Sequence, residues 1–316
     1  MRGIHSQRTG NCDAPRIVRR RSLLLWTVLP WALGGCHSYP VKPSAHDMVA
    51  SRQIALRGIE ASQRGDSASA EMYFSSAIQA CPEHDRAHAG YADVLWKRGA
   101  RDLAIGHMEQ AVRLSGGDPD LLVRLGRMHL EQGEHEAAIH RAEQAIRSNR
   151  ELATAWLLQG DILRERAELD PALASYYRAL SLQEHCCEAQ LAVADIYLAQ
   201  GRPQRALATL ESLASRFGTG QIPAEVHRRQ GVAQKALGRF DEAARSFVAA
   251  GLPGTSSEWA GELAEAQLLA GELSAARLTV AEGMRHAPDN PKLTRIASEI
   301  DRQQQRMAVR TSRDSS

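Results

Sequence analysis

The chain has 316 residues, 24% of them charged, with five cysteines and a formal net charge of +2. Residues 1–35 hold six of the 39 basic residues (Arg2, Arg8, Arg16, Arg19, Arg20, Arg21) and only one of the 37 acidic ones, Asp13; without them the charge is −3. The basic balance therefore belongs to one end of the chain and gives no ground for a nucleic-acid partner. Of the five cysteines, Cys81, Cys186 and Cys187 remain once Cys12 and Cys36, in or bordering the N-terminal segment, are set aside, too few for a disulfide framework.

The first element is "RRRSLLLWTVLPWALGGC", residues 19–36. Its apolar part, Leu23 to Gly35, is interrupted by Thr27 and Pro30 and falls short of the roughly 20 residues a bilayer-spanning helix needs. A positive start, a short apolar middle and small closing residues describe a secretory leader. The closing "LGGC" resembles the lipobox of bacterial lipoproteins. That resemblance implies cleavage before Cys36, acylation of Cys36 and anchoring by two or three acyl chains. An ordinary signal peptide containing a cysteine is the plainer alternative. "RRSLL" also resembles a twin-arginine signal, although arginines before an apolar run serve any leader, so the export route stays open. His37 stands where many inner-membrane lipoproteins carry aspartate, so by that family's rule the outer membrane, facing the periplasm, is the expected destination. Residues 36–50 are expected to be a tether from the acylated cysteine.

Seven stretches of one shape follow: "RGDSASAEMYF", "RGARDLAIGHM", "QGEHEAAIHRA", "RAELDPALASY", "QGRPQRALATL", "LGRFDEAARSF" and "AGELSAARLTV". Their second residues are Gly65, Gly99, Gly133, Ala167, Gly201, Gly238 and Gly271, spaced 34, 34, 34, 34, 37 and 33 apart. An alanine recurs five residues later in each: Ala70, Ala104, Ala138, Ala172, Ala206, Ala243 and Ala276. A small residue precedes each turn by seven: Gly58, Ala92, Gly126, Gly160, Ala194, Gly231 and Ala264. Each unit reads as two short amphipathic helices that are unstable alone, and small residues at these positions let their axes approach closely. Stacking would bury a continuous core.

This period-34 helix–turn–helix pattern resembles the tetratricopeptide repeat (TPR). The resemblance implies an all-α solenoid, a right-handed superhelix of seven repeats over 51–84, 85–118, 119–152, 153–186, 187–223, 224–256 and 257–290. The proline near the end of the second helix survives only at Pro82 and Pro288, and the tryptophan of the first helix is clear only at Trp156. "RFGTGQIPAE", 216–225, adds three residues and two glycines between the fifth and sixth repeats. It reads either as a hinge or as a longer loop. A polar capping helix is expected over 291–310, with Asn290 as N-cap and Pro291 at N1. Residues 311–316 are expected to be disordered.

Candidate chemistry is sparse. "HEAAIH" places His135 and His140 five apart, about 140° around a helix, so they do not share a face as a metal-binding pair would. Adjacent Cys186 and Cys187 read either as a redox or soft-metal pair or as two small residues at a repeat junction. No phosphate loop, nucleophile elbow or carboxylate cleft is apparent, so neither an enzyme nor a cofactor is expected.

In tetratricopeptide arrays the first helix of each repeat lines a concave groove that takes an extended peptide or a partner helix. Carried onto this chain, the groove residues are Asp93, Trp96, Lys97, Arg127, Leu130, Glu131, Asp161, Arg164, Asp195 and Leu198, mixed in charge with a few apolar anchors. Ala89, Val123 and Asp93 stand where chaperone-binding relatives carry lysine and asparagine, which argues against that partner. In layout the chain is similar to pilotin-type and other envelope-assembly repeat lipoproteins, which implies a lipid-anchored scaffold for type IV pilus, secretion or exopolysaccharide-export machinery. A cytosolic repeat adaptor starting downstream of Cys36 is the other expectation, and oligomeric state is open.

Overall fold

In a computed structural model the chain divides into two units, and the fold lies in the second, Pro43–Ser316. The structure describes residues 45–218, 220–251 and 257–314. The leader 1–35, Cys36 and the tether as far as residue 44 lie outside the described residues.

All described elements are helices: α1 (Ala45–Gln63), α2 (Ser67–Ala80), α3 (Asp85–Arg98), α4 (Arg101–Leu114), α5 (Pro119–Glu131), α6 (His135–Ser148), α7 (Ala153–Glu165), α8 (Leu169–Leu182), α9 (Cys187–Ala199), α10 (Pro203–Ala214), α11 (Ala224–Ala236), α12 (Phe240–Ala249), α13 (Ser257–Leu269), α14 (Leu273–His286) and α15 (Pro291–Asp314). They pack in pairs, α1 on α2 through α13 on α14, and each pair stacks on the next. None of the described helices is long and apolar enough to cross a membrane.

Local chemistry sets the helix ends. The Asp118 carboxylate accepts from the N–H groups of Asp120 (2.9 Å) and Leu121 (3.2 Å) ahead of Pro119. Asn290 does the same for Lys292 (2.9 Å) and Leu293 (3.2 Å) ahead of Pro291. At the turn inside each hairpin a left-handed residue ends the first helix: Gly99 at φ 88° lets Gly99 N–H reach Trp96 O and Ala100 N–H reach Leu95 O, both at 3.0 Å. Gly65, Gly133, Gly201, Gly238 and Gly271 hold the same positive φ, and Ala167 adopts it too, at 60°.

The seven recurring alanines, Ala70, Ala104, Ala138, Ala172, Ala206, Ala243 and Ala276, fall in the first turn of the second helices, each fully buried. The small residue of the first helix is matched to what faces it. A Cβ on Gly58, Gly160 or Gly231 would come within 2.9, 2.7 and 2.7 Å of the rings of Phe74, Tyr176 and Phe247 respectively. Where the first helix carries alanine, the residue sixteen further on is aliphatic or thioether: Met108 after Ala92, Leu210 after Ala194 and Val280 after Ala264. Volume is therefore matched in these six pairs, as close packing requires; Gly126 departs from the rule, because the residue sixteen further on is Ala142 and a Cβ there would meet Leu158 of the next hairpin at 2.7 Å.

Two boundaries differ from the sequence reading. Helix α1 starts at Ala45, so residues 45–50 of the expected tether are helical; the added turn brings Met48 Sδ within 3.9 Å of the buried Cys81 thiol. Helix α15 runs to Asp314, so 311–314 are helix and not a disordered tail; no glycine or proline follows Pro291 to end it. The inserted segment 216–225 is no empty linker, because Phe217 and Ile222 pack against the cluster that includes Leu210, Leu213 and Val226.

Candidate partner-binding face

The first helices of successive hairpins pack on one another (α1 with α3, α5 with α7, α7 with α9, α9 with α11), and no two successive second helices pack to a similar extent. The first helices therefore form the more closely packed, inner side of the stack. Arg127 of α5 lies 3.9 Å from Glu188 of α9, reaching over α7.

Ion pairs between hairpins run along this inner side. Asp93 of α3 pairs with Arg124 of α5, which also donates to Ala89 O at 3.2 Å. Asp195 of α9 accepts two bonds from Arg229 of α11, at 2.6 and 2.9 Å. Glu265 of α13 is held by Lys235 (3.0 Å) from one side and Lys292 of α15 (3.2 Å) from the other. Burial alone would raise the Glu265 and Glu225 carboxyls, but Lys235 and Lys292, and Arg228 and Arg229 respectively, more than offset it and hold both below the ordinary value. Asp161 differs. Tyr176 Oη–H donates to it at 2.7 Å, yet burial outweighs that bond and its arginine neighbours and raises its pKa. Burial and the Asp161 charge raise the Tyr176 phenol in turn.

The expected groove residues thus separate by how firmly they are held. Asp93 and Asp195 are committed to arginines of the next hairpin. Arg127 makes only a long ion contact, 3.9 Å to Glu188, and a pair of that kind is worth about 0–1 kcal/mol; Arg164 lies 3.9 Å from Asp161 and also hydrogen-bonds the Tyr176 hydroxyl. Lys97 is exposed and makes no ion pair among the described residues. Of the apolar anchors, Leu130 and Leu198 are half-buried against their neighbouring cores. Trp96 packs on the second hairpin's core, lies 3.9 Å beneath the Arg101 guanidinium and donates its indole N–H to Glu131 at 3.1 Å. Its face is occupied from within the chain.

One apolar region lies beyond the expected groove residues, and of its lining only Met48 falls in the stretch 36–50 expected to be tether. Leu56 (58% exposed) and Ile59 (38%) of α1 line a cleft of about 560 Å³ with Met48, Ala55, Arg52 and Arg86. Ile59, Asp85 and Arg86 continue it into a second cleft of about 410 Å³ that reaches Asp93 and Leu121. The signal was Met48 at helical spacing from Leu56 and Ile59 of the first repeat.

Cys186 sits at the N-cap of α9 and packs on the central core, whereas Cys187 is exposed with its thiol 3.7 Å from His185 O; both are free, as is Cys81.

The sequence pattern of the tetratricopeptide repeat family matches residues 56–119, 123–185 and 191–258, more than half of the chain. The protein belongs to the tetratricopeptide repeat family. Two solved structures share the arrangement. A tetratricopeptide repeat protein from Parabacteroides merdae is 14% identical with a TM-score of 0.59, covering 80% of this chain and 99% of that one. PilW, described as a widely conserved type IV pilus biogenesis factor, is 17% identical with a TM-score of 0.60, covering 68% of this chain and 96% of its own. At these identities the likeness is one of fold. No curated protein matches the chain. As a TPR array it is a scaffold for protein–protein interaction, in a family that is typically non-enzymatic.

Proposed function

We propose that this TPR protein is a lipid-anchored scaffold of the bacterial envelope with two working ends: acyl chains on Cys36 and a repeat array that holds a partner of an assembling envelope complex. The observation that carries the reading is the run "RRRSLLLWTVLPWALGGC" placed directly ahead of a TPR array. The fold shared with PilW agrees with a role in pilus, secretion or polysaccharide-export assembly.

On this reading the partner lies along the inner side, entering beside Leu56 and Ile59. Arg127 exchanges its long internal contact for a carboxylate of the partner, at little internal cost. Membrane association rests on Cys36. The test is Cys36→Ser: the protein should leave the membrane fraction while keeping its helical circular dichroism, and the native chain should carry acyl mass on residue 36. A native chain lacking that mass, beginning downstream of Cys36, would instead establish the cytosolic adaptor. Cross-linked capture from the native envelope then identifies the partner. Arg127→Glu should reduce that capture without lowering the melting temperature.

A further inference from the structure

The junction between the second and third hairpins gathers three arginines that the scaffold role does not use. Arg113 of α4 and Arg141 and Arg147 of α6 line one cleft of about 560 Å³, together with Gly116, Gly117 and Gln144, and no Asp or Glu is among its lining residues. The three guanidiniums are weakly compensated. Arg113 gives Nε (3.2 Å) and Nη2 (2.6 Å) to the neutral amide oxygen of Gln110. Arg141 reaches Gln144 Oε1 at 3.3 Å and Glu109 only at 3.5 Å, and its Nε is buried without a partner. Arg147 has one carboxylate, Glu143, also at 3.5 Å. Asp195 and Arg229 on the inner side, by contrast, share bonds of 2.6 and 2.9 Å.

Two local features keep the cleft open and cationic. Arginines near a helix C-terminus complement its exposed carbonyls, which accounts for Arg113 and Arg147 but not for Arg141, in the middle of α6. The loop from α4 to α5 is Ser115-Gly116-Gly117-Asp118, with φ of 73° and 85° at the glycines and nothing within 4 Å of a Cβ on either. At the position of Gly117 the corresponding loops carry Glu83, Glu151 and Asp289. Here no side chain covers the cleft and the acid is missing.

We propose that Arg113, Arg141 and Arg147 bind a phosphate group, either inorganic phosphate or the phosphomonoester end of a larger molecule. A guanidinium is a planar fork of donors that matches phosphate oxygens. A doubly charged tetrahedral anion has acceptors for three such forks, whereas a carboxylate has two oxygens to share among them. The long contacts to Glu109 and Glu143 are given up at little cost. The volume lies in the range of small-molecule sites, so there is room for more than the bare ion. A bound phosphate would bridge α4 and α6 and stabilise the junction by mass action.

The test titrates inorganic phosphate into the full chain at constant ionic strength, made up with chloride so that general screening is unchanged, and follows the phosphorus magnetic resonance. The expected result is one saturable equivalent whose affinity falls about tenfold or more in Arg141→Gln and in Arg147→Gln, the loss of one charge-assisted contact. Arg127→Gln, on the inner side, should bind as the wild type does. Arg147 is exposed and its replacement should leave the circular dichroism intact, so it decides the matter if Arg141→Gln fails to fold. A folded Arg147→Gln protein that binds phosphate as tightly as the wild type would overturn the site, as would a wild-type chain without saturable binding. Glycerol phosphate and vesicles of phosphatidylcholine containing phosphatidic acid are then compared as competitors. Displacement by glycerol phosphate assigns the site to soluble phosphomonoesters, and displacement by the vesicles alone assigns it to a lipid headgroup. Displacement by neither leaves inorganic phosphate as the ligand, and each of the three upholds the site.

Discussion

Ala167 holds φ at 60° where six other hairpins place glycine. A left-handed alanine costs roughly 1–2 kcal/mol, while glycine returns part of that gain through its freer unfolded chain. Ala167→Gly should therefore raise stability by about 1 kcal/mol in a denaturant melt, the reverse of the usual sign for that substitution. The glycines facing aromatic rings obey the opposite rule. Gly231→Ala gains about 1 kcal/mol of helix propensity but sets a Cβ 2.7 Å from the Phe247 ring, and overpacking costs roughly 1–3 kcal/mol. The single variant should be destabilised, and adding Phe247→Leu should recover part of the loss, reproducing the pairing of Ala194 with Leu210. Non-additivity in a double-mutant cycle is the measurement.

The same scale carries the pH dependence. Ser51 Oγ–H donates to Ala77 O at 2.7 Å, so His84 Nδ1–H donates to Ser51 Oγ, also at 2.7 Å. Burial lowers the His84 pKa, as it does for His88 and His107. A base depressed on folding contributes stability that is complete above its unfolded pKa of about 6.5 and is lost as pH falls through the lower folded value. Stability should fall as pH drops below about 6.5, and His84→Gln should flatten that fall. A steeper fall in the variant would contradict the assignment.

Among elements, α15 does the work of a missing eighth hairpin. Leu293, Ile296 and Ile300 are buried against Ala260, Ala264, Leu268 and Val280, and Lys292 completes the clasp on Glu265. Each buried aliphatic side chain is worth roughly 1.5–3 kcal/mol, more than a hairpin of this size can lose. Truncation after Asn290 should therefore abolish hydrogen-exchange protection in α13 and α14 while leaving α3 to α8 protected. Equal loss throughout would show that the array unfolds as one unit. The insertion at 216–225 belongs to this scale too: Phe217 and Ile222 fill the widened junction, so α9, α10 and α11 share one core.

Over the described array, short-range stacking makes stability a sum of hairpins and interfaces, with the first helices packed on one another along the inner side. Asp195→Asn should weaken the junction between α9 and α11, because it breaks a two-bonded, largely buried pair with Arg229. Arg127→Glu acts on an exposed contact and should change partner capture alone.

The period, the turn residues and the close-approach positions were legible because they are local requirements repeated seven times: a left-handed residue to end a helix, a small side chain where two axes meet. The capping helix was legible from Asn290 and Pro291 for the same reason. Its full length was not, since nothing beyond composition marks where an exposed helix frays. The availability of each inner-side residue was decided only by the tertiary structure. Trp96 is covered by Arg101 and Glu131, Asp93 is held by Arg124, and Arg127 is left loosely paired. Long polar side chains choose partners some 30 residues away, through rotamers and the tilt between hairpins, and a one-dimensional period carries neither. The meeting of Arg113 with Arg141 and Arg147 has the same origin: helices of two neighbouring hairpins, placed so that three guanidiniums line one cleft.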